Sequence, residues 1–257
     1  MEIKKKKILI TNDDGIHAKG LAELIDIARE FGEVLVVAPH TSRSGMSKAI
    51  TVDLPVRLKK YEETANFTSY SCTGTPVDCV KLAFHQLLDR TPDIVISGIN
   101  HGSNSSVNIH YSGTMGAVIE GCIHEVPSVG FSLCDHLADA DFEPSKKYFK
   151  RIIAETLRNG LPKGTCLNVN APKGEPKGVA VRRQGHGRWV EEFERRTDPH
   201  NEDYFWITGY YQNLDNGSDD TDNHALAEGY ISIVPILVDM TNHHAIETIK
   251  KWHFNEE

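Results

Sequence analysis

The sequence predicts an α/β fold: a mostly parallel, doubly wound sheet followed by a C-terminal extension. Short β-branched apolar runs at residues 8–10, 34–38, 94–96, 126–131 and 165–169 alternate with segments of helical periodicity. Each run ends in turn residues, so each reads as a strand and none is long enough to span a membrane. After Pro172 the texture changes, with Gly, Arg, Glu and aromatics replacing the helical repeat.

The elements follow in order. Ile8, Leu9 and Ile10 form a first strand broken by Asn12-Asp13-Asp14-Gly15, and Leu21, Leu24, Ile25 and Ala28 then mark a helix up to Gly32. A second strand, 34–38, stops at Pro39 and opens a Ser-rich loop over residues 40–48. Residues 50–52, 56–58 and 67–71 read as short strands of an excursion from the main sheet. Thr75-Pro76-Val77-Asp78 starts a helix: Thr caps, Pro suits the first turn, and Asp lies near the positive end. Its apolar face is Val77, Val80, Phe84, Leu87 and Leu88. The third strand, 94–96, ends at Ser97-Gly98 and leads into a polar loop over residues 99–114. Residues 114–124 are expected to be helical, 126–131 a strand, and Tyr148, Phe149, Ile152, Ile153 and Leu157 a helix closed by Gly160. Residues 165–169 form a further strand, 174–229 an extension of hairpins, and 230–234 a strand that rejoins the sheet.

With 257 residues, 39% hydrophobic and 25% charged, the composition is that of an ordinary globular chain. A net charge of −8 argues against a nucleic-acid coat, although a small phosphate ester could still bind locally. Five cysteines, odd in number and without a C-x-x-C pair, indicate neither a zinc site nor a disulfide framework and fit a reducing cytosol. Residues 4–7 are all lysine, as at the start of a signal peptide. Only three apolar residues and then two aspartates follow, so a solvated entry to the first strand is expected.

The chemistry gathers in three loops. If the strands they follow are parallel neighbours, residues 12–15, 40–48 and 99–114 open on one edge of the sheet, where ligands of such sheets bind. They offer oxygen donors: Asp13 and Asp14; Ser42, Ser44 and Ser47; Asn100, Asn104 and Asn108. Adjacent carboxylates repel unless a cation sits between them, and oxygen-only donors favour Mg²⁺, Mn²⁺ or Ca²⁺. An Asp-Asp-Gly turn is common by itself; the three loops together carry the expectation. Tyr111-Ser112-Gly113-Thr114 opens a helix whose free N–H groups can take a phosphate, or simply form a cap. The P-loop lysine is missing, and no G-x-S-x-G elbow or H-E-x-x-H pair occurs. Arg182, Arg183, Arg188, Arg195 and Arg196 read as a solvated face, His243-His244 as a polar surface pair, and Asp219, Asp220 and Asp222 as loop or cap residues.

The stretches ILITNDDGIHAKG, VVAPHTSRSGMSKAIT, CTGTPVDCVKLA, IVISGINHGSN, YSGTMGAVIEG and DDTDNHALAEGYISIVPILVDMT, in this order, resemble the SurE (survival protein E) family of nucleotidases. The resemblance spans essentially the whole chain. It implies a metal-dependent phosphomonoesterase acting on nucleoside 5′- and 3′-monophosphates, and in some members on short polyphosphate. It also implies a Rossmann-like core (residues 1–173 plus 230–240 of a single domain), an extension (174–229) that builds homodimers or homotetramers, a tail (241–257), and a cytoplasmic location. By resemblance, one divalent ion per subunit, Mg²⁺ or Mn²⁺ with Ca²⁺ as another occupant, is held by Asp13, Asp14, Ser44 and Asn100. Asn104, Ser112, Gly113 and Thr114 are implied phosphate contacts. The expected reaction is hydrolysis, with Asp13 or Asp14 orienting or deprotonating the water; direct attack by an aspartate stays open. The rival readings are exopolyphosphatase as the main activity and a non-enzymatic nucleotide sensor.

Overall fold

The computed structural model describes residues 5–252 and 254. Its centre is a nine-stranded sheet with the order β3-β4-β2-β1-β5-β6-β7-β13-β8. The strands are β1 (Lys6–Thr11), β2 (Gly32–Pro39), β3 (Leu58–Thr64), β4 (Phe67–Cys72), β5 (Ile94–His101), β6 (Ser128–Leu133), β7 (Thr165–Ala171), β8 (Val179–Val181) and β13 (Ile231–Leu237). The six strands β4-β2-β1-β5-β6-β7 are parallel, as the alternation of runs and helices requires. β3 and β13 run antiparallel to their neighbours β4 and β7.

Both faces are covered, which is why the inner strands read as unbroken apolar runs. On β1, Ile8 and Ile10 join the cluster formed with α1 (Lys19–Arg29) and α4 (Glu143–Asn159), through Leu21, Leu24, Phe149 and Ile153. Leu9 points the other way, into the cluster with Val37, Val80, Val95 and Ala117. That face is covered by α2 (Pro76–Leu82), continued by a π turn over Ala83–Leu87, and by α3 (Gly113–Ile123). The chain leaves β1 toward β2 on one side, while β5 lies on the other. The topological switch point therefore falls between the carboxyl ends of β1 and β5.

Several expectations need correction. Residues 67–71 do not leave the sheet: β4 pairs in parallel with β2, and β3 covers its outer edge. Residues 50–52 form no strand, and the strand expected at 56–58 is instead the charged, exposed β3. β5 continues past Ser97-Gly98 to His101, so Asn100 lies on a strand end, where the pairing with β6 shifts register. Residues 106–110 of the expected loop form a 3₁₀ turn (Ser106–His110). Lys4 lies outside the described residues. Of the following lysines, Lys5 and Lys6 are exposed, but Lys7 is buried with its ammonium against Asp89 and Glu33.

Within residues 174–229, β8 joins the edge of the main sheet beside β13. Beyond it lie two antiparallel ribbons, β9 (Gly187–Val190) with β12 (Tyr210–Asn213) and β10 (Phe193–Thr197) with β11 (Asp203–Ile207). α5 (Asp222–Ala227) then leads into β13, and a short α6 (His243–Ile249) follows. Arg183, Arg195 and Arg196 are spent on Asp215 and Asp220, on Asp203, and on Glu194. His243 pairs with Asp239 at the surface.

Candidate active site at the switch point

Four segments meet at the carboxyl edge of β1 and β5. The turn after β1 is closed by Asn12 Nδ2 donating to the Gly15 carbonyl at 3.0 Å, with Gly15 at φ 100°, a left-handed conformation that suits glycine. The 40–48 loop is drawn in by Arg43 N–H donating to the Asp13 carbonyl at 2.7 Å. Ser44 is exposed beside it, its hydroxyl 2.9 Å from that of Ser42. The end of β5 is tied to Asp14, whose Oδ2 accepts from His101 N–H at 3.3 Å. Asn100, half-buried, is the residue before this contact and donates to the Gly102 carbonyl at 2.8 Å.

The fourth segment is the start of α3. Thr114 Oγ1 donates to Asp13 Oδ1 at 2.6 Å, and Ser112 Oγ accepts from Met115 N–H at 3.0 Å as the N-cap. A Cβ on Gly113 would stand 2.8 Å from Asp13 Cβ and 3.0 Å from Oδ2, so the helix start can approach the carboxylate only because residue 113 is glycine. The cap reading and the phosphate reading are compatible: the hydroxyl of Ser112 satisfies one first-turn N–H and leaves others of that turn without intrahelical partners.

Asp13 is only 3% exposed, and its carboxyl is pushed up to about 6, chiefly by burial. The Thr114 hydrogen bond opposes the shift, and the like charge of Asp14 adds to it. Asp14 is half-buried and also raised by burial, with the His101 N–H opposing. Among the described residues no lysine or arginine acts on either carboxylate, while the His101 side chain also opposes the rise at Asp14. The side-chain oxygen of Asn12 next to them is buried without a hydrogen-bond partner among the described residues. Two carboxylates without a lysine or arginine partner among the described residues, with a hydroxyl and an amide on adjoining segments, are a donor set suited to a hard divalent cation. Among the described residues no group of three or more His, Cys, Asp or Glu side chains is placed to hold a metal, and the expected set contains only two such groups.

Asn104 sits one step further along the edge. Its Nδ2 donates to Ser132 Oγ at 2.9 Å, and Ser132 is the register partner of Asn100 on β6. Its backbone is clamped by β7: Asn104 N–H donates to Asn170 Oδ1 and its carbonyl accepts from Asn168 Nδ2, both at 2.8 Å. The sequence reading missed Ser132, Asn168 and Asn170. For the two asparagines, their alternate positions on a strand otherwise mostly apolar are the signal that could have found them; Ser132 carries no such signal. Asp222, expected in a loop or cap role, does open α5, but it is fully buried and its carboxylate accepts backbone N–H bonds from Ser106 and Gly185 as well as from Asn223. A groove of about 830 Å³ flanks these loops, lined by Ser47, Lys48, His110 and Arg182 among others, but none of Asp13, Asp14, Ser44 or Asn100 lines it.

Fold and site together define an α/β protein with an acidic, oxygen-donor site at the switch point of a parallel sheet, beside a helix N-terminus. The chain belongs to the SurE family: the family model described as Survival protein SurE matches residues 8–191. A 5′-nucleotidase SurE of Phocaeicola vulgatus is 50% identical over 254 residues, covering 98% of this chain and 99% of that protein. One from Christiangramia forsetii is 48% identical over 261 residues, covering both chains completely. The crystal structure of the SurE protein from Aquifex aeolicus superposes with a TM-score of 0.82 at 34% identity, covering 95% of this chain and 98% of that one.

Proposed function

We propose that this protein is a divalent-metal-dependent phosphomonoesterase that hydrolyses nucleoside 5′-monophosphates, and their 3′ isomers, to nucleoside and inorganic phosphate. The observation that carries the reading is the buried Asp13 carboxylate, without a cationic partner among the described residues and pressed against the start of α3. Relatives about 50% identical over nearly the whole chain are 5′-nucleotidases by name, which supports the nucleotide as substrate.

Asp13, Asp14, Ser44 and Asn100 would hold the cation. Bound there, it supplies Lewis acidity, drawing charge from the phosphoryl group and acidifying water. The rest is the work of the chain. First-turn N–H groups at Gly113 and Thr114 and the positive end of α3 receive the phosphoryl oxygens, with Asn104 as a further contact. The Thr114 hydroxyl, donating to Oδ1, fixes the Asp13 carboxylate. Asp14, held at Oδ2 by His101 N–H and less buried than Asp13, is the carboxylate that orients the attacking water and takes its proton.

Phosphate release from nucleoside 5′- and 3′-monophosphates and from short polyphosphate, with Mn²⁺ and with EDTA, tests the reading. Nucleotide turnover that requires Mn²⁺ and drops at least a hundredfold in Asp14→Asn is expected. Full turnover in EDTA, or in that variant, removes the assignment, and faster turnover of polyphosphate replaces the substrate. Two further parts of the proposal are a cytoplasmic setting, supported by five free cysteines, and assembly of dimers or tetramers through the extension.

A further inference from the structure

We propose that Asp222, remote in sequence from every candidate ligand, is a positioning residue that holds the loop directly after Asn104, so that Asn104, clamped by β6 and β7 on one side, is fixed from the extension on the other, and that it thereby couples the extension to turnover. The proposal rests on the reading of Asn104 as a phosphate contact.

Among the described residues, the segment after Asn104 finds its long-range hydrogen-bond partners in the extension and not in the core strands. Asp222 Oδ2 accepts from Ser106 N–H at 2.7 Å, while Oδ1 accepts from Gly185 N–H and Asn223 N–H, both at 2.8 Å. Ser106 has φ 51°, a left-handed conformation that costs a non-glycine residue free energy and persists only where its surroundings enforce it. The same serine donates its hydroxyl to the Gly185 carbonyl at 2.8 Å. Ser105 Oγ donates to Asn223 Oδ1 at 2.7 Å, and Asn223 Nδ2 donates to the Tyr211 hydroxyl at 3.0 Å. Trp189 Nε1 donates to Asn108 Oδ1 at 2.8 Å. Thus Ser105, Ser106 and Asn108 are each tied to residues 185–223, whereas Asn104 itself is clamped by β6 and β7.

Asp222 grips both the loop and the base of the extension with a single carboxylate, and it is fully buried. An isosteric amide cannot replace it. Asparagine has one acceptor oxygen, so its NH₂ would face either Ser106 N–H or the Gly185 and Asn223 N–H groups, donor against donor. One grip is lost, Ser106 relaxes out of its left-handed conformation, and the clamp of β6 and β7 is left to hold Asn104 alone against the altered course of the chain two residues on. A displacement of a group that meets developing charge lowers kcat more than it weakens ground-state binding.

The test is a double-mutant cycle of Asp222→Asn and Asn104→Ala in the Mn²⁺-loaded protein, with kcat and KM for a nucleoside 5′-monophosphate. Asp222→Asn alone is expected to lower kcat at least tenfold with KM changed less than threefold. In the Asn104→Ala background the same change is expected to cost less than twofold. A merely structural role behaves differently, because a lost folded fraction multiplies kcat by one factor in every background. Equal losses in both backgrounds therefore overturn the positioning role of Asp222 and leave the reading of Asn104 intact. An Asn104→Ala variant with unchanged kinetics overturns both. Should Asp222→Asn fail to fold, Tyr211→Phe, which cuts the hydroxyl's contacts with Ser106 Oγ and Asn223 Nδ2 without touching the carboxylate, takes its place in the cycle. A kcat loss confined to the Asn104 background then supports the coupling, and equal losses in both backgrounds overturn it.

Discussion

Asp13 shows at the scale of one residue how a site can cost the fold. Its carboxyl is raised from 3.8 to about 6, mainly because burial penalises the charge. In the metal-free protein this destabilisation is absent below about pH 4, where the group is protonated folded or unfolded. It grows as pH rises through about 6 and is constant above. A shift of about two units corresponds to roughly 2–3 kcal/mol. Asp13→Asn keeps an oxygen for the Thr114 hydroxyl and removes the charge. The metal-free variant should therefore be more stable than the parent at pH 8, by up to that amount, while losing activity. The gain should vanish near pH 4. Urea denaturation in EDTA at both pH values measures it, and equal stabilities at pH 8 would show that the carboxylate is not strained by burial. An added divalent ion should reverse the ranking, because it binds the parent's folded state and stabilises it by mass action.

Among the elements, α2 illustrates a start that the residues dictate. Thr75 accepts from Asp78 N–H at 3.1 Å, Asp78 Oδ2 accepts from Thr75 N–H at 2.8 Å, and Thr75 Oγ1 donates to the Ala49 carbonyl at 2.7 Å. The cap thus also anchors the chain that leaves the 40–48 loop. Thr75→Ala is expected to cost about 1–2 kcal/mol in urea denaturation with an unchanged m value; no loss would mean that the loop is anchored elsewhere. This start was legible because capping chemistry is local. So were β1, β2, β5, β6 and β7, whose burial on two faces leaves a continuous apolar run. β3 was not, since the edge strand LKKYEET is exposed and charged and carries no burial signal. The same distinction governs the site. Asp13 and Asp14 stand out because a buried strand gives way to them. Ser132, Asn168, Asn170 and Asp222 acquire their roles only through partners tens of residues away, and no local pattern distinguishes Asp222 from its neighbours in the run 219–222.

For the whole molecule, the open balance lies in the β10–β11 ribbon. Its register places Phe193 opposite Ile207 and Arg195 opposite Phe205, so Phe193, Phe205 and Ile207 share one face. They are 64%, 58% and 80% exposed. On the other face Trp206 is opposite Glu194 and Tyr204 opposite Arg196. An isolated two-stranded ribbon is marginal in water and needs a surface to pack on, and apolar patches of this kind mark association sites. A second copy of the chain is the partner that the proposed assembly supplies. Light scattering behind size exclusion should give the mass of a dimer or tetramer for the unaltered chain at micromolar concentration. Phe205→Ser combined with Ile207→Ser should lower that mass while leaving the far-ultraviolet circular dichroism of the core unchanged. If the interface also braces the extension that Asp222 holds, dissociation should depress kcat along with the mass. A monomeric mass for the unaltered chain would leave the exposed ribbon to a different partner and detach the extension from self-assembly.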